Sequence, residues 1–288
     1  MALKEYLKRG LHFIIKGVPV RNITPTIVTL APNELLKGRC ALITGGTSGI
    51  GFCIAKAFLD SGATVIITGR NDEKLKASCE KLAGPYNKDK IFSVVLDNTK
   101  VNTFEQAFQS AISIVGGRHI DILVNNAGIL GGHIRTASVT EYDNVMNTNL
   151  RGVFFLSQLF GKYMKENRIE GNILNIASSS SLRPAVSAYT LSKWGIRGLT
   201  LGLARAFAPY GITVNGIAPG QTATPMLLKD TSKGLGNNTI LGRYALPEEI
   251  ANMAVVMVSG LGKTILGDIV YMTGGSALVS FEDMDYGF

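Results

Sequence analysis

The feature that most constrains the fold is a glycine-rich stretch between an apolar run and a helix-like segment. Residues 44–51 read TGGTSGIG, follow an apolar run over 40–43, and lead into small and apolar residues over 50–59. Gly62 is a helix-ending signal, and residues 64–68 form a second run rich in β-branched side chains. The order strand, tight loop, helix and strand is one βαβ unit, which predicts an α/β fold.

The glycine positions suit a loop that cradles phosphates. Gly45 allows the turn, Gly49 lets the backbone approach a pyrophosphate, and Gly51 lets the helix lie close to the strand. The helix N-terminus adds unpaired N–H groups and partial positive charge. The alternative is a plain glycine-rich turn, against which the flanking strand and helix argue. The predicted phosphate contacts are Gly45, Thr47, Ser48, Gly49, Ile50 and Gly51.

Tyr189 and Lys193 form a pair with catalytic potential. A free tyrosine hydroxyl titrates near about 10, so it is a poor base at neutral pH unless its anion is stabilised. Lys193 lies four residues further on in a predicted helix, on the same face, and an ammonium group nearby favours the phenolate. Tyr189 is therefore predicted to exchange a proton with an alcohol or carbonyl oxygen. An ordinary surface pair is the alternative.

Further motifs follow one another along the chain: the glycine stretch, Asn125-Asn126-Ala127-Gly128, Asn149, the serine run from Ser178, Tyr189-x-x-x-Lys193 and Pro219-Gly220. Their order resembles that of the short-chain dehydrogenase/reductase family, in its compact single-domain branch and its 3-oxoacyl reductase-like members. The resemblance covers roughly residues 35–276, although the glycine spacing is G-x-x-x-G-x-G rather than G-x-G-x-x-G. It implies hydride transfer between a nicotinamide and a secondary alcohol or ketone.

The resemblance also implies roles for two further polar residues. Ser178, at the end of a predicted strand, would orient the substrate carbonyl, and Asn149 would relay protons between water and Lys193. Only 11 positions separate Ser178 from Tyr189, which leaves Ser179 and Ser180 as alternatives. The predicted catalytic set is Asn149, Ser178, Tyr189 and Lys193.

The end of the second predicted strand bears on the choice of cofactor. Gly69 has no side chain to accept hydrogen bonds from ribose hydroxyls, whereas Arg70 can grip a 2′-phosphate. The sequence therefore predicts NADP(H) over NAD(H). Asp97 resembles the family's adenine-contacting residue, with a solvated loop acid as the alternative. The remaining implied cofactor contacts are Asn126, Ala127, Gly128, Tyr189, Lys193, Pro219, Gly220, Thr222 and Thr224.

Strand and helix patterns alternate along most of the chain. Strands are expected near 40–44, 64–68, 91–96, 121–125, 172–177, 212–217 and 268–272. This pattern predicts one Rossmann-type, doubly wound parallel sheet of about seven strands in a catalytic domain over residues 35–288. Residues 225–241 are expected to form a substrate lid.

Residues 1–34 are predicted to form an N-terminal extension, with an amphipathic helix over 2–16 and a proline-containing connector. Residues 1–37 hold six basic and two acidic side chains, half of the chain's net charge of +8. Packing against the enzyme's own body or a sister subunit is favoured over contact with a membrane surface.

Composition and scattered motifs narrow the function classes. Neither a basic patch with aromatics nor a spaced Cys/His cluster is present, so nucleic acid and metal are unsupported as partners. Cys40, Cys53 and Cys79 are expected to be buried reduced thiols, and no apolar run reaches the about 18 residues that span a bilayer. A soluble, cytoplasmic protein is the expectation.

The helix after Tyr189 carries Gly195, Gly198 and Gly202, which predicts close packing between helices. In the family this helix pairs with its twin in another subunit, so the resemblance implies a homodimer or homotetramer. His133, Arg135 and Arg183 are expected to be solvated loop residues.

Two functions remain open at this point. The first is the oxidoreductase, acting on a 3-oxoacyl thioester, a sugar or polyol, or a steroid-like ketone. The alternative is a catalytically silent, cofactor-sensing protein on the same fold. The extended nucleotide-sugar epimerases are disfavoured by the glycine spacing.

Overall fold

The computed structural model describes residues 33–85, 87–227 and 239–276. The predicted helix over 2–16, nearly all of the connector, and residues 228–238 of the predicted lid lie outside these ranges. The division into an extension over 1–34 and a catalytic domain from residue 35 therefore stays a prediction.

Seven parallel strands form one sheet in the order β3-β2-β1-β4-β5-β6-β7. This confirms the doubly wound parallel sheet, and each predicted strand lies within two residues of an observed one. β6 extends furthest beyond its expected end. The strands are β1 Cys40–Thr44, β2 Thr64–Gly69, β3 Ile91–Val95, β4 Ile122–Asn125, β5 Gly171–Ile176, β6 Ile212–Pro219 and β7 Ile269–Met272.

Helices cover both faces of the sheet. They are α1 Gly49–Asp60, α2 Asp72–Ala83, α3 Phe104–Ile114, α4 Val139–Met146, α5 Gly152–Glu166, α6 Ala188–Phe207 and α7 Pro247–Val258. A π-helical segment, Asn147–Arg151, joins α4 to α5 without a break. Asn149 therefore lies in a local widening of a helix rather than in a regular turn.

Alternating residues of the strands feed two separate cores. Ile43 and Ile67 pack with α1, α2 and α7 on one face, whereas Leu42 and Ile66 pack with α3 and α5 on the other. Successive side chains of a strand point to opposite faces, so a strand buried on both faces needs a continuous apolar run. The runs in β1 and β2 meet this requirement.

The topology fixes where a ligand can lie. β1 pairs with β2 on one side and with β4 on the other, so the strand order reverses there. In open parallel sheets, ligands bind outside the carboxyl ends of the strands at such a switch point. The carboxyl end of β1 is Thr44, directly before the glycine stretch.

The cysteines differ in burial from what the sequence suggests. Cys40 is buried, but Cys53 and Cys79 are only partly buried, and all three are free thiols. Among the described residues, no helix combines the length and apolar character needed to cross a bilayer. The same ranges contain no group of three or more side chains suited to hold a metal ion.

Candidate active site

A cleft of about 360 Å³ opens at the switch point. Its wall is built from the glycine loop, the carboxyl ends of β2, β4, β5 and β6, and the first turns of α6. Of the residues singled out in the sequence, the wall contains Gly45, Thr47, Ser48, Gly49, Ile50, Arg70, Asn126, Ala127, Gly128, Ser178, Tyr189, Lys193, Pro219, Gly220, Thr222 and Thr224. Gly51, Asp97 and Asn149 lie behind or beside it.

Gly51 packs the start of α1 directly against the end of β4. A Cβ atom at this position would lie 2.4 Å from Asn126 Nδ2 and 2.5 Å from the carbonyl oxygen of Gly45. Such distances are far below van der Waals contact, so only glycine fits without displacing the loop. Gly51 thus supports the cleft from behind, in agreement with its expected role in helix–strand packing.

Hydrogen bonds tie the glycine loop to β4. Asn126 Nδ2 donates to the carbonyl oxygens of Thr44 at 2.9 Å and of Gly45 at 3.1 Å. The backbone N–H groups of Asn126 and Ala127 both donate to Thr44 Oγ1 at 3.0 Å. The Thr44 hydroxyl was missed by the sequence reasoning, because nothing in the local pattern distinguishes it from any β-strand threonine.

Lys193 is held in the interior by the sheet. It is 5% exposed, and its Nζ donates to the carbonyl oxygen of Ile176, the last residue of β5, at 2.8 Å. The same Nζ lies 5.7 Å from the ring centre of Tyr189. The spacing of four residues on α6 therefore places both side chains in the cleft, as the sequence predicts.

The protonation balance differs from the sequence expectation. Burial raises the pKa of Tyr189 above its ordinary value, and a hydrogen bond with Ser178 opposes part of this rise. Burial also lowers the pKa of Lys193 to about 8. Burial is the largest effect on both groups, so the Tyr189 hydroxyl holds its proton at neutral pH and is suited to donate it.

The serine run places one hydroxyl in the cleft wall beside Tyr189. Ser178 lies on the cleft wall together with Tyr189, whereas Ser179 and Ser180 do not. Ser178 Oγ accepts from the N–H of Ser180 at 3.1 Å, while Ser181 Oγ donates to the carbonyl oxygen of Ser178 at 2.7 Å. The short stretch between Ser178 and Tyr189 begins with a 3₁₀ helix, Ser179–Leu182.

Asn149 joins a loop to the catalytic helix. It is 1% exposed, its Oδ1 accepts from Ile129 N–H at 2.8 Å, and its Nδ2 donates to the Ile129 carbonyl at 2.9 Å. Nδ2 also lies 3.1 Å from Ser192 Oγ, which donates to the carbonyl of Tyr189 at 2.6 Å. Asn149 therefore bridges the loop after β4 to α6, one turn beyond Tyr189.

The two residues expected near the adenosine differ in their surroundings. Arg70 is exposed and forms part of the wall beyond β2. Asp97 Oδ1 accepts from the N–H of Thr99 at 3.0 Å and from its hydroxyl at 2.9 Å. Its neighbours Leu96 and Asn98 form the wall there, so contact between Asp97 and adenine stays a prediction.

Arg183 departs most from its expected place. It is 6% exposed rather than solvated, and its guanidinium donates to Ser276 Oγ. Its carbonyl accepts from Trp194 Nε1 at 2.8 Å. The sequence holds no sign of this burial, because Ser276 and Trp194 reach Arg183 only through the tertiary fold. His133 forms an isolated bridge with Ser187, and Arg135 is exposed.

A doubly wound sheet, a glycine loop at its switch point, and a buried tyrosine–lysine pair in one cleft together define a dinucleotide-binding oxidoreductase. The family model described as short chain dehydrogenase matches residues 39–234. The chain belongs to the short-chain dehydrogenase/reductase family, whose members use NAD(P)(H), and it is an enzyme acting on CH–OH or C=O groups.

Named relatives agree with this assignment. A 3-oxoacyl-(acyl-carrier-protein) reductase of Aquifex aeolicus is 35% identical over 246 residues, 83% of this chain and 98% of that protein. A 3-alpha-(or 20-beta)-hydroxysteroid dehydrogenase of Mycobacterium bovis is 36% identical over 84% of this chain and 90% of its own length. The solved 3-ketoacyl-(acyl-carrier-protein) reductase of Brucella melitensis, complexed with NADH, has a TM-score of 0.76 at 30% identity, covering 84% of this chain and all of that one.

Proposed function

We propose that the enzyme transfers hydride between NADP(H) and a secondary alcohol or ketone, with Tyr189 as the group that exchanges the proton. One observation carries the proposal. Ser178, Tyr189 and Lys193 line the same cleft as the glycine loop, so two hydroxyl groups and an ammonium group face the space beside the loop. A carbonyl oxygen placed between the two hydroxyls would receive two hydrogen bonds, and one of these would become the new O–H bond.

The chain's own residues divide the work of carbonyl reduction. Ser178 orients and polarises the carbonyl, and Tyr189 donates its proton as negative charge develops on the oxygen. The raised pKa of Tyr189 favours the protonated form that this step needs. Lys193 places a positive charge near the phenolate that remains, and Asn149 is proposed to relay the replacement proton toward Lys193.

A nicotinamide dinucleotide fits the residues present. The close packing at Gly51 holds the loop against β4 and leaves its backbone facing the cleft, as a pyrophosphate requires. When bound, the nicotinamide supplies or accepts the hydride. The residues proposed to hold the cofactor are Gly45, Thr47, Ser48, Gly49, Ile50, Gly51, Arg70, Asp97, Asn126, Ala127, Gly128, Tyr189, Lys193, Pro219, Gly220, Thr222 and Thr224.

The decisive experiment replaces Tyr189 with Phe. We expect turnover on a panel of acetoacetyl-CoA, ketoses and cyclic ketones to fall at least about 100-fold, within the range that general acid catalysis contributes. NADPH binding, measured by the quenching of Trp194 fluorescence or by calorimetry, should persist. Retention of full turnover would contradict the assignment, whereas NADPH binding without turnover in the unaltered protein would favour the cofactor sensor.

The preference for NADP(H) rests on Arg70 and Gly69. Arg70 is exposed at the cleft wall where β2 ends, and Gly69 leaves no carboxylate for the ribose hydroxyls. We expect Arg70→Ala to lower kcat/KM for NADPH at least about tenfold, with little change for NADH. Lys263→Ala, at an exposed lysine outside the wall, is the control. A higher kcat/KM for NADH in the unaltered enzyme would refute the preference.

The substrate is proposed within the chemistry of the named relatives. The Aquifex protein is named for 3-oxoacyl thioesters and the Mycobacterium protein for hydroxysteroids. Ile129, Met226 and Leu227 line the cleft, and they suit the apolar part of either class. We propose a 3-oxoacyl thioester as the substrate, with a steroid-like ketone and a sugar or polyol as the alternatives, and the kcat/KM ranking across the same panel tests this choice.

We also propose a homo-oligomer that pairs α5 and α6 with their copies. Phe154, Phe155, Trp194 and Leu201 each expose between 38% and 53% of their surface on these helices. The outer face of α6 also carries Gly198 and Gly202, where an added Cβ atom would meet no atom of the described residues within 4 Å. Residues 1–34 are proposed to pack against the same body or a sister subunit, and the cytoplasmic location stays a prediction.

A further inference from the structure

The loop after β4 makes direct backbone contact with the start of the catalytic helix. The N–H of Ala188 donates to the carbonyl of Gly132 at 2.8 Å, and the N–H of Tyr189 donates to the carbonyl of Gly131 at 3.3 Å. The first N–H groups of a helix have no partner within the helix. Two loop carbonyls therefore satisfy the N–H groups of the first turn of α6, and one of these belongs to Tyr189.

The conformation of this loop depends on two consecutive glycines. Gly131 has φ +127 and Gly132 has φ +71, both in the region that L side chains rarely adopt. A Cβ at Gly132 would lie 2.6 Å from Ala188 Cβ, and a Cβ at Gly131 would lie 2.7 Å from Glu141 Oε1. The loop is thus packed between α6 on one side and α4 on the other.

Glu141 holds the loop from the side of α4. Its Oε1 accepts from the N–H of Gly132 at 2.8 Å, while its own N–H donates to Ser138 Oγ at the start of the helix. In the usual capping box the glutamate side chain reaches back to the backbone N–H of the N-cap residue, which here is Ser138. Here the carboxylate is directed at a neighbouring loop, which indicates a function beyond capping.

Glu141 and Asn149 lie on one continuous helix and both hydrogen-bond to the backbone of the loop after β4. They lie eight residues apart on α4 and its π-helical extension, hence on a shared face. Asn149 bonds both backbone groups of Ile129, and Glu141 bonds Gly132 three residues later. Asn149 also reaches α6 through Ser192, while Glu141 reaches it through the Gly132 carbonyl.

We propose that Glu141 is a positioning residue for Tyr189: it fixes Gly131 and Gly132 so that their carbonyls set the first turn of α6. This inference rests on the proposed role of Tyr189. The hydroxyl at the end of that side chain must reach a carbonyl oxygen to within hydrogen-bond distance, and a displacement of 1 Å can cost about 100-fold in rate. A lesser displacement of the first turn is therefore expected to lower kcat without removing any group that touches the substrate.

Three substitutions at Glu141 separate the proposed contact from other effects. Glu141→Gln keeps an oxygen acceptor, Glu141→Ala removes it, and Glu141→Asp keeps the charge at the helix N-terminus but withdraws the carboxylate by one methylene. Asp143→Ala is the matched control, because Asp143 is an exposed acid on the same helix whose side chain makes no hydrogen bond or ion pair with the described residues.

Two measurements read out the effect. The first is amide hydrogen exchange of the peptide covering Ala188 and Tyr189 in the full chain, which needs no substrate. We expect exchange to be at least about fivefold faster in Glu141→Ala and Glu141→Asp, and unchanged in Glu141→Gln and Asp143→Ala. The second is kcat on the best ketone of the panel, expected to fall between about threefold and tenfold in the first two variants, with KM for NADPH unchanged.

Three results would overturn the proposal. Equal exchange at residues 188–189 in Glu141→Ala and the unaltered enzyme would overturn it. A loss in Glu141→Gln as large as in Glu141→Ala, or the same loss in Asp143→Ala, would also overturn it. Failure of Tyr189 itself as the proton donor is seen separately, as full turnover in Tyr189→Phe, and would leave the exchange result standing as evidence of the contact alone.

Discussion

Replacement of Lys193 by Met should make the protein more stable at neutral pH while it removes activity. The lysine side chain is almost fully buried and forms no ion pair with an acid of residues 33–85, 87–227 or 239–276. Burial lowers its pKa from 10.5 to about 8. A lowered lysine pKa means that the folded state binds the proton less tightly than the unfolded state does. The charged lysine therefore destabilises the fold wherever the pH keeps it protonated.

The size of the effect follows from the two pKa values. The gap between 10.5 and about 8 corresponds to about 3 kcal/mol, at about 1.4 kcal/mol for each tenfold change in proton affinity. Methionine has a similar length but leaves the Ile176 carbonyl without the donor that lies 2.8 Å away, at a cost of about 1–2 kcal/mol. The Met variant should thus be more stable than the unaltered enzyme by about 1–2 kcal/mol at pH 7.

The pH dependence supplies the sharper test. Below about pH 8 Lys193 is protonated in both the folded and the unfolded state of the unaltered enzyme, so the full loss of about 3 kcal/mol in unfolding free energy is present. Between about pH 8 and 10.5 the unfolded state alone keeps the proton, so stability rises with pH. The advantage of the Met variant should therefore shrink by about 3 kcal/mol across this window and change sign near its middle, at about pH 9. Cys40 and Cys53, with pKa values raised to about 12, act equally in both proteins and cancel.

Urea unfolding followed by tryptophan fluorescence, at one protein concentration and at several pH values, measures the difference. Turnover on the ketone panel is recorded in parallel. If the difference in unfolding free energy between the two proteins stays constant from pH 7 to 10.5, the inferred burial cost of Lys193 is wrong. A Met variant that is less stable at pH 7 would refute it as well.

Three further predictions concern the same fold. Gly51→Ala should weaken NADPH binding at least about tenfold, because its Cβ would clash with Asn126 and with the Gly45 carbonyl oxygen. Gly260→Ala is the control in the calorimetric measurement, because a Cβ there meets no atom within 4 Å. Equal NADPH binding by the two variants would contradict the argument. Gly202→Leu should yield monomers in light scattering, since the open space beside Gly202 is proposed to be filled by a second copy, and an unchanged mass would exclude this face as the interface. The rate of ketone reduction should fall above about pH 8 as Lys193 loses its charge, whereas a flat profile to pH 10 would show that the charge is not required.

The proposed interface explains glycines that the isolated chain does not. A glycine inside a helix costs about 0.5–1 kcal/mol relative to alanine. Gly195 is accounted for within the chain, because a Cβ there would lie 2.6 Å from Leu150 Cδ2. A Cβ atom added at Gly198 or Gly202 would meet no atom of the described residues within 4 Å. The close approach of a helix from a second copy would offset their cost, which is the reason that they support the proposed oligomer.

The local signals in the sequence determined the fold class and most of the cleft wall. Apolar runs of β-branched residues place the seven strands, and the glycine stretch places the turn between β1 and α1. Tyr189 and Lys193 share a helix face because they are four residues apart. Each of these features depends on fewer than about twenty consecutive residues, through backbone preference and the repeat of the helix or strand, and such information is legible without knowing the rest of the chain.

The tertiary structure alone decided the chemistry between segments that are distant in the chain. It placed Ser178 rather than its neighbours beside Tyr189, buried Arg183, and joined Glu141 to Gly132. It also set the protonation of Tyr189, whose pKa the sequence pattern expects to fall and burial raises instead. Desolvation is the summed effect of every segment that packs around a group, so it has no signature in the residues on either side of that group.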